Sequence, residues 1–200
     1  LARNQATNQK LKDERREQIL SAALLLFATN GLAATKVTDI AAAVGMSQGL
    51  MYHYFNSKEE IFTELISGAF ARLNDACRQL EAMPLPPLEK ISLALRELLR
   101  GIAENADHAR YHLLIAQATV SAAIPPAARL VIQQQNRLPY AAIARIMRAG
   151  QAEGTIKQQD PDELALLFWT SINGLAIYKA VHGDSFRPPD PALLLRIFLP

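Results

Sequence analysis

Val37-Thr38-Asp39-Ile40-Ala41-Ala42-Ala43-Val44-Gly45-Met46-Ser47-Gln48-Gly49-Leu50-Met51-Tyr52-His53-Tyr54-Phe55 reads as two short helices broken at Gly45. Ile40, Ala41 and Val44 make one side of the first helix apolar. Gly45 falls where a helix stops in a left-handed residue, the conformation glycine adopts at least cost. Ser47 is placed to accept from the free N–H groups that open the second helix. Leu50 and Met51 are expected to turn inward, with Gln48, Tyr52, His53 and Tyr54 outward and Phe55 in the core; half-burial beside Phe55 is the other reading of Tyr54. Asn56 ends the second helix, and Ser57-Lys58-Glu59-Glu60 is a capping box for another. A helix about two turns long is marginal by itself, so its neighbours must hold it.

Those neighbours lie upstream. Ile19, Ala22, Ala23, Leu26 and Phe27 form a core-facing stripe on a helix that Asn30-Gly31 closes. The first sixty residues therefore read as a small helical unit with a helix-turn-helix, the arrangement that lays a helix in the major groove of DNA.

These residues carry a family resemblance. Ile19 to Ala23, Phe27, Asn30-Gly31, Ala34-Thr35, Asp39 to Ala41, Val44 to Ser47 and Gly49 to Glu59 follow the order and spacing of the TetR family of bacterial transcriptional regulators. The likeness covers the first third of the chain; the rest resembles the family in length and helical texture. One departure stands out. The family usually places a threonine before the first apolar residue of the second helix, where this chain has Lys36. A lysine has no acceptor with which to cap, so Lys36 is expected to meet phosphate by charge, with Thr35 or Thr38 supplying the hydroxyl.

Two hundred residues with half of them hydrophobic hold a substantial core. Alternating β-branched runs are absent, and prolines fall mostly between helical stretches. The expected class is all-α: a helix-turn-helix DNA-binding domain over residues 1–60, then a helical effector-binding and dimerisation domain over 61–200. A net charge of +2 excludes a polycationic nucleic-acid coat. The positive charge is local, with Arg3, Lys10 and Lys12 in a basic arm over residues 1–12. Two readings stand for this arm: a segment following phosphates or the minor groove, or a solubilising terminus.

The single cysteine, Cys77, excludes an intramolecular disulfide and fits a reducing compartment. No leader pattern is visible, so a cytoplasmic protein is expected. Leu164 to Val181 is the most apolar stretch, but Thr170, Ser171, Asn173 and Lys179 interrupt it, and no membrane partner is expected.

Beyond the head, a helix from Ser57 to about Leu80 carries Phe62, Leu65, Ile66, Ala69, Phe70 and Leu73 on one face. Pro84 to Pro87 break the chain before a helix with Ile91, Leu95, Leu98 and Ile102 inward. Asp107 is placed to cap the next, through Tyr111, Leu114, Ile115 and Ala118. Pro125-Pro126 opens a long helix bearing Leu130, Ile143, Ile146 and Met147, bent at Pro139 and ended by Gly154. Pro161 and Asp190-Pro191 start two more.

The DNA-contacting candidates are Lys36, Thr38, Ser47, Gln48, Gly49, Tyr52, His53 and Lys58. Gln48 at the helix N-terminus can pair with adenine, and Gly49 lets the backbone approach closely. Tyr52 and His53 are expected on phosphates, as is Lys58 beside the amides opening its helix. The resemblance implies a ligand pocket among the later helices, lined by Phe70, Tyr111, Leu114, Ile115 and Gln117, and by Ile143, Met147, Trp169 and Asn173. For Gln117 and Asn173 a structural amide is an equal alternative. A mostly apolar pocket suits a hydrophobic or aromatic effector.

The resemblance also implies a twofold homodimer through the last two helices, with Leu164, Leu167, Phe168, Ser171, Ile172 and Leu175 at the interface. Burial within one subunit is the competing reading, which periodicity cannot separate. His108 and His112 share a zinc-compatible spacing but lack further ligands, so no metal is assigned. No cofactor motif and no catalytic arrangement is present. The function this implies is a ligand-responsive DNA-binding regulator, most simply a repressor of a palindromic double-stranded operator. The alternative is an all-helical small-molecule binder or enzyme with a vestigial helix-turn-helix.

Overall fold

The structure, a computed structural model, describes residues 2–200, with the side chains of residue 7 and of residues 9–200. The side chain of Arg3, in the expected arm, lies outside the described residues. Only helices form among the described residues. The head contains α1 (Ala2–Ala34), α2 (Val37–Ala43), α3 (Gln48–Met51) and the start of α4 (Lys58–Ala82). Then follow α5 (Pro87–Glu104), α6 (Ala106–Val120), α7 (Pro126–Gln135), α8 (Arg137–Ala152), α9 (Pro161–His182) and α10 (Pro191–Leu195).

The expected arm is helical backbone from Ala2 onward, continuous with α1, and Lys10 is exposed beside Glu14 at 3.9 Å. Gly31 breaks α1 with a φ of 78° before one last turn to Ala34. Gly45 turns left-handed between α2 and α3 at a φ of 65°.

Two apolar cores form. In the head, Ile19, Ala23, Phe27, Ile40, Met51, Phe55, Phe62 and Ile66 are buried together. Phe27 and Phe62 meet edge to face, with ring centres 5.6 Å apart. This core does not close at residue 60: Leu114 and Ala118 of α6 and Ala128 and Ile132 of α7 belong to it. The second core joins α5, α8 and α9 through Leu95, Ile102, Ile143, Met147, Phe168 and Ile172, and Arg145 of α8 clamps Glu81 of α4 through two hydrogen bonds at 2.6 and 2.9 Å.

Two local expectations are corrected. Asn105, not Asp107, caps α6: its Oδ1 accepts from the Asp107 N–H at 2.9 Å, while Asp107 pairs with Arg110 one turn on. The long helix expected from Pro126 is two, interrupted at Asn136. Pro139 then sits in the first turn of α8, where its missing N–H costs no intrahelical bond. Leu130 is on the exposed side of the separate α7, which buries Ala128 and Ile132.

Helices α1 and α9 are long and apolar enough, by length and composition, to span a bilayer. Each buries a face in the protein's own core, through Phe27 in α1 and through Phe168 and Ile172 in α9.

Candidate nucleic-acid interface and effector cavity

Helix α3 is a single turn, so its position depends on what surrounds it. Ser47 Oγ accepts from the Leu50 N–H at 3.2 Å and opens it. Met51 and Phe55 anchor its inner side in the head core. Leu50, expected inward, is 44% exposed, because so short a helix has only one inward position and Met51 takes it. Ser47, Gln48, Gly49, Tyr52 and His53 all face solvent, and Tyr54 is half-buried. Gln48 Nε2 donates to the Tyr52 hydroxyl at 3.3 Å. A Cβ on Gly49 would meet nothing within 4 Å, so nothing inside the fold requires glycine there.

Arg16, which the sequence reading did not single out, holds this turn from behind. Its guanidinium carbon lies 4.1 Å from the centre of the Phe55 ring, Nη1 donates to the Tyr54 carbonyl at 2.6 Å, and Nη2 pairs with Glu64 of α4. One side chain thereby ties α1, the segment that follows α3, and α4 together.

Lys36 makes no side-chain cap, as its chemistry requires, and α2 is capped in reverse. The Asp39 carboxylate accepts from the Lys36 N–H at 3.0 Å, leaving the Lys36 ammonium exposed beside Thr38. Thr35 is buried, and its hydroxyl donates to the Gly31 carbonyl at 2.8 Å, so Thr38 is the exposed hydroxyl of the pair.

Ser57 Oγ accepts from the Glu60 N–H at 3.1 Å, while Glu60 reaches back one residue further than a standard capping box, to the Asn56 N–H at 2.7 Å. Lys58, expected on phosphate, turns its ammonium into the protein. Nζ donates to the carbonyls of Leu32, Ala33 and Thr35 at 2.8, 3.1 and 2.8 Å. A lysine ammonium has three N–H donors, and all are used on the carbonyl end of α1.

Two adjoining cavities open between α4, α5, α6, α8 and α9, an outer one of about 640 Å³ and an inner one of about 220 Å³. Phe70, Tyr111, Ile115, Trp169 and Asn173 line the inner cavity, and Ile143 and Trp169 the outer. Three expected lining residues lie elsewhere. Leu114 faces the head core, Met147 is enclosed in the second core, and Gln117 is exposed with its amide 3.5 Å from the Ala28 carbonyl of α1.

His108, His112, Leu73, Leu98 and Tyr140 were not anticipated in the lining. The spacing of His108 and His112 was the one legible hint, though it was weighed as a metal pair. Among the described residues no group of three potential metal ligands comes together. His112 Nδ1 instead meets Asn173 Oδ1 at 2.7 Å, and burial pushes its pKa below the ordinary histidine value. Cys77 lines the outer cavity, with its thiol raised to about 11 by burial and by nearby Glu81, which keeps it an unreactive small hydrophobe.

Helix α9 divides the expected dimer residues. Leu164, Phe168 and Ile172 are buried in their own subunit, whereas Leu167 is 46% exposed and Ser171 and Leu175 are half-buried. The outward face carries Leu166, Leu167, Gly174, Tyr178 and Val181. A helix apolar on all sides shares its faces between two tasks, and the period alone does not assign them.

Residues 19–65 match a family model described as bacterial regulatory proteins, tetR family. The transcriptional repressor KstR2 of Mycobacterium tuberculosis is 40% identical over 91 residues, covering 44% of this chain and 45% of that protein. The chain thus matches less than half the length of that curated relative. The transcriptional regulator YfiR of Bacillus subtilis is 27% identical over 178 residues, 86% of this chain and 83% of its own. In fold, the solved KstR2 structure superposes with a TM-score of 0.75 at 23% identity, covering 93% of this chain and 95% of that one. The MbdR regulator from Azoarcus gives 0.77 at 23% identity, covering 90% and 95%.

Proposed function

We propose that this chain, whose residues 19–65 match the tetR family model, is a TetR-family regulator: a cytoplasmic, homodimeric, ligand-responsive DNA-binding repressor rather than an enzyme. The observation that carries this reading is α3 itself: a capped turn that offers Ser47, Gln48 and Gly49 to solvent while Met51, Phe55 and Arg16 fix it from within. Gln48 reads a base edge, Gly49 lets the backbone approach, and Tyr52, His53, Lys36 and Thr38 meet phosphates. Lys58 acts indirectly, by fixing the end of α1 against α4.

The outward face of α9, through Leu167, Ser171 and Leu175 with Tyr178 and Val181, pairs with its copy. Two α3 turns then enter successive major grooves, and the operator is an approximate palindrome with half-sites ~34 Å or more apart.

A hydrophobic or aromatic effector occupies the paired cavities. Helix α6 is the coupling element, because Tyr111, His112 and Ile115 line the inner cavity while Leu114 and Ala118 belong to the head core. An effector that fits only one placement of α6 shifts the dimer toward a spacing the operator does not match; it works through its differential affinity for the two states.

The test is to challenge the purified protein with DNA from upstream of its own coding region and with genomic fragments, in excess competitor DNA. A selective, saturable shift is expected. Equal binding to all fragments would sink the regulator reading in favour of a helical small-molecule binder with a vestigial head.

A further inference from the structure

The two chambers share a wall. Leu73, Ala76, Leu98, His108, His112 and Trp169 line both chambers, and His108 is exposed to solvent. The inner chamber adds Tyr140 and Asn173, and no acidic residue lines it. Its one arginine, Arg72, lies over the Tyr111 ring at 4.7 Å and is exposed to solvent. The outer chamber carries its charges as Glu104 and the mutually paired Glu97 and Arg100, all exposed.

The His112–Asn173 contact fixes what the wall offers. An amide oxygen only accepts, so Asn173 Oδ1 at 2.7 Å places the proton of the neutral ring on His112 Nδ1. His112 Nε2 is then a lone-pair acceptor with no protein partner among the described residues. Burial holds the ring neutral. The Tyr140 hydroxyl also lacks a protein partner among the described residues, and the Trp169 indole N–H is buried in the same wall without one. Groups of this kind, left unpaired beside an apolar cavity, are specificity elements in waiting.

We propose that the inner chamber selects an uncharged, hydroxyl-bearing ring compound of the phenol type, whose hydroxyl donates to His112 Nε2 and accepts from the Tyr140 hydroxyl. Its apolar body extends past Leu73 and Leu98 into the outer chamber toward Phe168. A carboxylate in the same place would lose its hydration and face the His112 Nε2 lone pair, and the chamber's one arginine is solvent-exposed and already lies over Tyr111; an ammonium would meet no carboxylate in the inner chamber. This inference rests on the reading of the chambers as the effector site.

Trp169 is the only tryptophan in the chain, so its emission reports occupancy of this wall directly. The experiment titrates the full chain with para-pentylphenol, para-pentylbenzoate and pentylbenzene, following Trp169 fluorescence. The phenol is expected to bind about tenfold or more tighter than either of the others, a gap of about 1.4 kcal/mol. In Tyr140→Phe the gap narrows, and in His112→Phe it closes while pentylbenzene still binds. Equal affinity for phenol and pentylbenzene, or tighter binding of the benzoate, overturns the proposed selectivity and leaves the effector site standing. No response to any of the three overturns both.

Discussion

Arg16 donates through Nη1 to the Tyr54 carbonyl at 2.6 Å, and its guanidinium covers the Phe55 ring. A residue of α1 thereby fixes the segment that follows α3, a helix too short to hold itself. Replacing it by alanine removes a charged hydrogen bond and a cation–π contact, and leaves Glu64 without its partner. The expected loss is about 2 kcal/mol, because the site is only half-buried. Arg16→Ala should lower the melting temperature and weaken binding to every DNA sequence alike. Lysine restores the charge without the planar fork, and should recover the affinity only in part.

Lys58 gives a sharper test of positioning against contact. Its ammonium is committed to the carbonyls of Leu32, Ala33 and Thr35. Lys58→Ala should cost about 1–2 kcal/mol of stability. DNA binding should weaken, but the slope of log affinity against log salt should stay unchanged. A lysine on phosphate would instead lower that slope by about one.

Gly49 separates fold from function. Nothing lies within 4 Å of where its Cβ would be, and its φ is not left-handed. Gly49→Ala should therefore stabilise the free protein by up to about 0.5–1 kcal/mol, the helix penalty of glycine. In the proposed docking the same methyl group stands where backbone and DNA meet, so operator affinity should fall. A more stable, weaker-binding variant is the predicted pair of results, read by thermal melting and by titration of labelled operator.

Much of the head was legible because its signals are local. Gly31, Gly45, Ser47 and the Ser57–Glu60 pair act over a few residues, and each shapes the backbone where its chemistry says it should. The ties that position the site are not local. Arg16 reaches Tyr54 across 38 residues and Glu64 across 48, and His112 reaches Asn173 across 61. No periodicity records such a pairing. Lys58 shows the same limit, since a lysine at a helix start reads as a phosphate ligand until the neighbouring carbonyls are in view. On α9, the apolar residues surround the helix, so Leu164, Phe168 and Ile172 could not be told from Leu167 until the core had claimed them.

The buried His112 makes stability depend on pH. Burial lowers its folded pKa below the ordinary 6.5, so the folded ring resists a proton that the unfolded chain accepts. Above about 6.5 both states are neutral, and the residue contributes no pH dependence. As pH falls below that value the unfolded state is favoured, until the pH passes the lowered folded pKa. The melting temperature should therefore fall on mild acidification, and His112→Gln should flatten this part of the profile. An identical profile for the variant would place the pH dependence elsewhere.

The central claim is that α3 reads DNA sequence through Gln48 on a turn fixed from within. Binding-site selection from random duplexes, run in parallel for wild type and Gln48→Ala, tests it most directly. The account predicts that wild type recovers an approximate palindrome, and that the variant recovers the same palindrome with preference relaxed at one symmetric position in each half-site, at a cost of about 1–3 kcal/mol there. Recovery of the same motif with the same preferences by both proteins would contradict it.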